Sequence, residues 1–172
     1  MSEAVAIKLT DPAGEPLRID WTSEALAALD PGAPGETPVW RLGGELDWDE
    51  VEALRVVSAR LDDGRLVAIA AVRPVDAGGH GEEVVAGLLG DSTGFDPLAE
   101  TLVSTEYGRD GLPGRVGLEL YRDGGELPLR IACDVTATAA TEQGGVRRTS
   151  AALALRASGS AGTGILDVLT RA

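Results

Sequence analysis

The sequence predicts an all-β fold, an antiparallel up-and-down β-barrel of roughly ten strands with at most one or two short helices. The first observation is a series of short runs rich in Val, Ile, Leu, Thr and Tyr from residue 98 to the C-terminus. The second is the Asp-Gly and Gly-Gly pairs between these runs, which favour the tight turns of β-hairpins. So many strands are unusual in one flat sheet of this length, and we therefore expect the sheet to close into a barrel.

The composition bounds the class of protein. The chain has 172 residues, 44% of them hydrophobic, which is enough for one domain spanning residues 1–172 with a substantial core. Its net charge of −13 leaves no basic face for nucleic acid and disfavours anionic membranes. The N-terminal residues lack a secretory signal pattern, and no apolar run approaches the roughly 20 residues of a membrane-spanning helix. We therefore expect a cytoplasmic protein.

The N-terminal third predicts a hairpin, a helix and a loop. Alternating apolar residues within residues 4–19 flank an Asp-Pro-Ala-Gly turn at residues 11–14, which predicts a first hairpin. Residues 23–29 are rich in alanine and leucine and predict a short helix, capped by Ser23 or by Thr22. The following stretch to residue 38 is rich in proline and glycine and predicts a surface loop.

The segment between residues 39 and 72 contains one ambiguity. Residues 39–46 predict a strand interrupted by two glycines. Residues 49–61 have apolar residues at helical spacing but are also rich in valine, so a helix and a strand are both compatible with the pattern. An Asp-Gly turn joins this segment to the apolar run 66–72, and we therefore favour a strand from about residue 52 to residue 61. The run 66–72 is apolar on both faces, which predicts a central strand covered on each side.

The remaining strands follow from turn residues. Residues 74–81 and 90–97 predict glycine-containing loops, with a short strand at residues 83–89 between them. Five further strands are predicted, at residues 98–107, 115–121, 127–138, 146–157 and 162–170.

Alternation within these strands predicts the lining of the barrel. Val116, Leu118 and Leu120 share one face, and the charged residues of the same strand share the other. With the aliphatic face inward, the interior suits an apolar ligand such as a lipid, an isoprenoid or a polyketide. An ordinarily filled core is the equal alternative, because sequence does not give the volume left between side chains. Cys133 lies on an apolar face and is expected to be a buried, inert thiol; as the only cysteine it also excludes an intramolecular disulfide.

His80 and Glu82 are the candidate catalytic residues. His80 is the only histidine and stands in a glycine-rich loop that enters a strand. A histidine or a carboxylate at a barrel rim can act as a general acid or base, although an exposed loop histidine is the more frequent case. One histidine with two adjacent carboxylates falls short of a metal ligand set, so we expect neither a metal nor another cofactor.

Five other side chains are candidates for ligand binding. Tyr107 and Tyr121 stand at strand ends, where they either hydrogen-bond the polar end of a ligand or cap the core. Glu119 and Asp134 carry charges on neighbouring strands, and a solvated cross-strand ion pair is the alternative for each. Trp40 belongs to a group of tryptophans that either flank a pocket mouth or pack over the barrel end.

Several segments, in this order, resemble a known family of barrel proteins. They are Asp63-Gly64-Arg65, Val72-Arg73-Pro74, Gly79-His80-Gly81-Glu82, Tyr107-Gly108-Arg109-Asp110-Gly111, Gly117-Leu118-Glu119-Leu120-Tyr121 and Gly162-Thr163-Gly164-Ile165-Leu166. Over about residues 61–171 the chain is similar to lipocalin-like β-barrel domains related to carotenoid hydratases (hydroxyneurosporene synthases) and to uncharacterised actinobacterial relatives. The resemblance implies an apolar cavity and, in members that hydrate or cyclise isoprenoids, an acidic residue that protonates a double bond. Many such proteins carry two barrel halves, and a homodimer is one way to supply the second.

Three functions are left open by the sequence. The first is binding of an apolar small molecule in the barrel cavity. The second is a cofactor-free cyclase, hydratase or isomerase on the same barrel, in which His80 or an acidic residue transfers a proton. The third is a non-catalytic assembly subunit that uses the apolar side chains of the last strand, residues 162–170, as a contact. Binding is placed first because catalysis also requires it, and whether the chain is an enzyme stays open.

Overall fold

The computed structural model describes residues 4–30, 38–75, 83–124 and 127–172 of the chain. These residues form twelve β-strands and one short α-helix, arranged as two antiparallel sheets. The predicted all-β class is therefore confirmed. Within the described residues, no helix has the length and apolar character needed to cross a membrane.

The smaller sheet lies at the N-terminus and contains the predicted first hairpin. Its strands are β1 (Ala4–Thr10), β2 (Pro16–Thr22) and β3 (Arg41–Gly43), in that order across the sheet. Helix α1 (Ser23–Ala27) follows β2 directly. The side chain of Thr22 caps this helix by accepting a hydrogen bond from an amide of its first turn at 3.1 Å.

The larger sheet contains nine strands. They are β4 (Val51–Leu61), β5 (Leu66–Pro74), β6 (Val84–Asp91), β7 (Gly94–Pro97), β8 (Glu100–Tyr107), β9 (Pro113–Tyr121), β10 (Leu129–Gln143), β11 (Val146–Ala157) and β12 (Ser160–Arg171). Their order across the sheet is β7-β6-β5-β4-β12-β11-β10-β9-β8. Sequential strands are hairpin neighbours except for β7 and β8, which lie at the two opposite edges of the sheet, and β12 returns to pair with β4.

The large sheet curls until its two ends meet near Gly87 of β6. The amide of Leu98, just before β8, donates a hydrogen bond to the carbonyl of Gly87 at 2.9 Å. A Cβ atom placed on Gly87 would lie only 2.6 Å from Oγ1 of Thr101 in β8. The missing side chain at Gly87 therefore allows the close approach that gives the sheet its barrel-like curvature.

Inward-facing side chains fill the central part of this curled sheet. Val116, Leu118 and Leu120 of β9, and Ile131 and Cys133 of β10, are each at most 2% exposed. The predicted inward direction of the aliphatic face is therefore confirmed. Burying each such aliphatic side chain stabilises the fold by roughly 1.5–3 kcal/mol before the entropy cost of ordering it.

The N-terminal sheet covers the outer face of β4 and β5. Ile19 and Trp21 of β2 pack there with Val56 and Ala68, and all four are at most 2% exposed. The indole Nε1 of Trp21 donates a hydrogen bond to Oγ of Ser58 at 2.9 Å. Strand β5 is therefore covered on both faces, as its apolar run predicts.

Residues 51–61 form strand β4, which excludes the helix that their spacing also permits. Both faces of β4 are buried, so its apolar residues are not restricted to every second position. The carbonyl of Asp47 accepts hydrogen bonds from the amides of Glu50 and Val51 in a turn that precedes the strand.

Three segments differ from their predicted structure. The strand predicted over residues 39–46 is limited to β3 (Arg41–Gly43), because Gly44 adopts a positive φ of 98°. Residues 90–97, predicted as a loop, include β7, which pairs back onto β6. The turn between them is closed by the carboxylate of Asp91, which accepts a hydrogen bond from the Thr93 amide at 2.8 Å, and no Asp-Gly or Gly-Gly pair marks it. Strand β10 continues to Gln143, beyond the predicted end at residue 138, because β11 is long enough to pair with the extension.

Candidate ligand-binding site at the barrel mouth

A cavity of about 570 Å³ opens at the end of the barrel where β4 begins and β12 ends. We call it the mouth cavity; its walls include Ala53, Tyr107, Arg147, Thr149, Val168 and Thr170. These residues come from strands on opposite sides of the curled sheet. The interior is thus filled in its centre by aliphatic side chains and open at this end, so the filled and hollow alternatives each hold for part of the barrel.

The strand register directs these side chains into the mouth. Val168 of β12 pairs with Arg55 of β4 on one side and with Thr149 of β11 on the other. The next inward layer contains Val57 and Leu166, which pair with each other and belong to the interior core. Because side chains two residues apart share a face, the layer of Arg55, Val168 and Thr149 also faces the interior.

A buried ion pair belongs to this layer. Arg55 donates from Nε and Nη2 to Oε1 of Glu83 at 3.0 and 2.5 Å. Its Nη1 donates to Oγ1 of Thr105 in β8 at 2.8 Å. The side chains of Arg55 and Glu83 are only 10% and 3% exposed. Since Glu83 immediately precedes β6, this cluster connects β4 with β6 and β8 and holds polar groups beside the mouth.

Charged side chains at the rim of the mouth differ in their partners. Arg73 donates from Nε to Oε2 of Glu52 at 2.8 Å, in a partly exposed ion pair. Asp110 accepts a hydrogen bond from the Leu112 amide at 3.0 Å in the turn between β8 and β9. No ion pair to Arg147 is found among residues 4–30, 38–75, 83–124 and 127–172. Toward these residues its guanidinium donors are open, and Arg147 lines the cavity.

The structure places one of the predicted site residues at the mouth. Tyr107 lines the cavity with its side chain at the end of β8. His80 and Glu82 lie outside the described residues, so their proposed catalytic role stays a prediction. Among the side chains that are described, no group of three or more His, Cys, Asp or Glu residues is placed to hold a metal ion.

Three predicted site residues lie on the outer face of the barrel instead. Glu119 and Asp134 line an open surface groove of about 650 Å³ across β8 to β11. Asp134 is 3.1 Å from Arg156, and the hydroxyl of Tyr121 donates to Oε2 of Glu119 at 2.8 Å. That hydrogen bond to a carboxylate raises the pKa of Tyr121. Glu119 and Asp134 form partly exposed cross-strand ion pairs with Arg130 and Arg156, whereas Tyr121 hydrogen-bonds Glu119 on the outer face.

Trp40 is buried between the two sheets, away from the mouth. It is 5% exposed, and its Nε1 donates to Oδ2 of Asp167 at 2.7 Å. Asp167 is 3% exposed, and its Oδ1 accepts a second hydrogen bond from the hydroxyl of Ser150. Trp40 therefore satisfies a buried carboxylate beneath the N-terminal sheet, a packing role that its position in the sequence does not reveal.

The reactivity of Cys133 tests whether the barrel interior excludes water. Burial, with a smaller effect from the Asp134 carboxylate, raises the pKa of its thiol from 9.0 to about 12. At pH 8 a disulfide-exchange reagent should label the native protein about a hundredfold or more slowly than the urea-unfolded chain. The thiol's contribution to stability is complete below pH 9 and is lost as the pH rises toward 12. Equal labelling rates in both states would contradict the buried placement.

The sequence analysis missed Arg55, Glu83 and Arg147. A sequence signal exists for one of them, because Arg147 occupies an inward position in β11, where core residues alternate. Arg147 shares its face with Thr149 and with the core residues Ala151 and Leu153. The partners themselves are remote in sequence, since Arg55 and Glu83 are 28 residues apart.

Comparison with known proteins identifies the type of fold. No protein-family model matches the chain, and no curated protein matches it. Among solved structures, the crystal structure of kievitone hydratase from Nectria haematococca matches with a TM-score of 0.53 at 9% sequence identity. The match covers 97% of this chain and 53% of that chain, so this chain spans about half the length of its structural neighbour. At this identity the likeness concerns the fold alone, and the chain has a lipocalin-like β-barrel fold.

Proposed function

We propose that the chain, acting as one domain, binds a small molecule with an apolar body in the mouth cavity. The observation that carries the proposal is the cavity itself, with its volume of about 570 Å³ at the open end of a filled barrel. Small-molecule sites commonly occupy clefts of about 300–1,000 Å³, and the mouths of β-barrels are a frequent location. The outer groove is a weaker candidate, because it is open to solvent and lined by ion-paired charges.

The lining favours a compact ligand. Ala53, Leu112, Pro113, Val168 and the ring of Tyr107 supply apolar surface. The buried ion pair lies in the same layer as Val168, and the aliphatic core fills the next layer inward, so a long chain has no depth to enter. Desolvating apolar ligand surface against such walls contributes about 25 cal/mol for each Å² removed from water.

The resemblance of residues 61–171 to carotenoid hydratases supports an isoprenoid or a polyketide-like molecule as the ligand. The structural neighbour, kievitone hydratase, is by its name a hydratase. A hydratase or isomerase activity of this chain rests on His80 and Glu82, and it stays a prediction. Homodimer formation, which the resemblance also implies, likewise stays a prediction.

The assembly-subunit alternative requires an apolar face on the last strand. Strand β12 instead lies between β4 and β11 in the middle of the large sheet. Leu166 is fully buried in the interior core, and Leu169 packs against the core under the N-terminal sheet. Both side chains pack against cores of the chain itself, so this observation favours the mouth cavity over an assembly contact.

A cavity-blocking variant tests the proposal. Thr149→Phe places an aromatic ring in the mouth, and Ala154→Phe places the same ring on the exposed outer face of the same strand. The neutral fluorescent probe N-phenyl-1-naphthylamine is titrated into each protein, and its dissociation constant is measured. We expect Thr149→Phe to weaken binding by about tenfold or more and Ala154→Phe to leave it within about twofold.

Two results would contradict this proposal. One is the absence of saturable probe binding to the unaltered protein. The other is an equal loss of binding in the two phenylalanine variants, which would place the probe outside the mouth. Near-ultraviolet circular dichroism of each variant confirms that the tertiary packing is retained before any titration is interpreted.

A further inference from the structure

We infer that the mouth cavity selects an apolar molecule that carries one negatively charged group, and that Arg147 binds this group. The inference rests on the proposed function and names the ligand class of the same cavity. It depends on three features of the mouth: the position of hydrogen-bond donors on one wall, the pairing of the other charges, and the geometry of a guanidinium group.

The wall formed by β11 and β12 presents three donors to the cavity. Arg147 of β11 pairs with Thr170 of β12, and Thr149 pairs with Val168 in the adjacent inward layer. All four residues line the mouth. Directly opposed residues of antiparallel strands hold their Cβ atoms about 4.5–5.5 Å apart. The guanidinium and the two threonine hydroxyls therefore face one small volume.

The other charged groups of the lining already have partners. Glu52 accepts the hydrogen bond from Arg73 at 2.8 Å, and Asp110 accepts the one from the Leu112 amide at 3.0 Å. The lining thus contains two acidic and two basic side chains, and its charges sum to zero. Selection of an anion therefore depends on the open donors of Arg147 and the threonines, and not on the net charge of the mouth.

A guanidinium recognises an acidic group by geometry as well as by charge. Its planar N–H donors match the two oxygens of a carboxylate or the oxygens of a sulfonate, which permits two parallel hydrogen bonds. Arg147 is exposed at the rim, whereas Ala53, Leu112 and Val168 supply apolar surface of the same cavity. A ligand with its apolar body in the cavity contacts this apolar surface, and its acidic group at the rim can bind Arg147.

Two probes with one scaffold test the inference. N-phenyl-1-naphthylamine is neutral, and 8-anilinonaphthalene-1-sulfonate adds a single sulfonate to the same rings. Both are titrated at about 0.15 M salt, which screens the overall negative charge of the protein. We expect Arg147→Gln to weaken sulfonate binding by about tenfold and neutral binding by less than about twofold. Arg147→Lys should retain part of the sulfonate affinity, because the ammonium keeps the positive charge but lacks the planar donors of the guanidinium.

The matched control is Arg156→Gln, which removes an arginine from the outer face of the same strand. It should leave the affinity for both probes within about twofold of the original. If Arg147→Gln changes neither probe, or both equally, the anion preference is wrong while binding in the mouth still holds. If neither probe binds the unaltered protein, the proposed function fails and this inference fails with it.

Discussion

Replacing Glu83 with alanine is expected to lower the free energy of unfolding by about 3–5 kcal/mol. In the unaltered protein the Arg55 side chain is only 10% exposed. The substitution removes the carboxylate that pairs with its guanidinium in the barrel interior. Thr105 and the Val103 carbonyl remain as its only partners among the contacts described, and neither carries a charge. Urea unfolding followed by circular dichroism measures the loss.

Two further variants separate burial of the charge from loss of a contact. The double variant Arg55→Met with Glu83→Leu removes both charges and should recover stability to within about 1 kcal/mol of the original. Glu52→Ala breaks the ion pair with Arg73, in which the Glu52 side chain is 57% exposed, and should cost less than about 1 kcal/mol. If Glu83→Ala costs no more than Glu52→Ala, the ion pair of Arg55 and Glu83 is open to water, which contradicts its burial in the barrel interior.

Replacing Asp167 with alanine is expected to cost about 3 kcal/mol of stability. The change leaves the Trp40 indole and the Ser150 hydroxyl without their acceptor, in a region where Asp167 is 3% exposed. Asp167→Asn should cost at most about 1 kcal/mol, because its carbonyl can accept from Trp40 while its amide donates to Ser150. Urea unfolding measures both variants.

The difference in stability between Asp167→Ala and Asp167→Asn tests the hydrogen-bonding role of the carboxylate. An alanine variant that is clearly less stable than the asparagine variant supports a hydrogen-bonding role for the carboxylate. Equal losses would instead assign the role to its negative charge. In either variant the mouth lies on the opposite face of the sheet, so we expect probe binding to the folded protein to be retained.

The barrel architecture could be predicted because its signals are local. The Asp-Gly turn at residues 62–64 does join two strands, and the alternation of residues 116–120 does direct aliphatic side chains inward. Each of these signals acts over a few residues, since hairpin turns and the two-residue period of a strand are properties of adjacent positions.

The position of the N-terminal sheet could not be predicted in the same way. The hairpin of β1 and β2 is visible in the sequence, but the face that it covers depends on contacts with distant strands. Trp21 and its partner Ser58 are 37 residues apart, and Trp40 and Asp167 are 127 residues apart. A burial preference identifies such tryptophans as core residues without showing which core they join.

Only part of the candidate site could be predicted from the sequence, for a related reason. Tyr107 is an aromatic residue at a strand end, which is a recognisable candidate, and it lines the mouth. Glu119 and Asp134 are equally recognisable as charged residues, yet the register turns them outward. Arg147 was missed because its importance comes from what surrounds it, namely Thr149, Thr170 and the absence of an ion-pair partner among the described residues.

The most direct test of the account is to locate a bound apolar probe by methyl NMR. We expect N-phenyl-1-naphthylamine to shift the methyl signals of Ala53, Thr149 and Val168, which line the mouth cavity. The signals of Leu102 and Ala132, which line the outer groove, should remain in place. Shifts centred on Leu102 and Ala132, with unchanged signals from the mouth, would show that the barrel mouth is not the binding site.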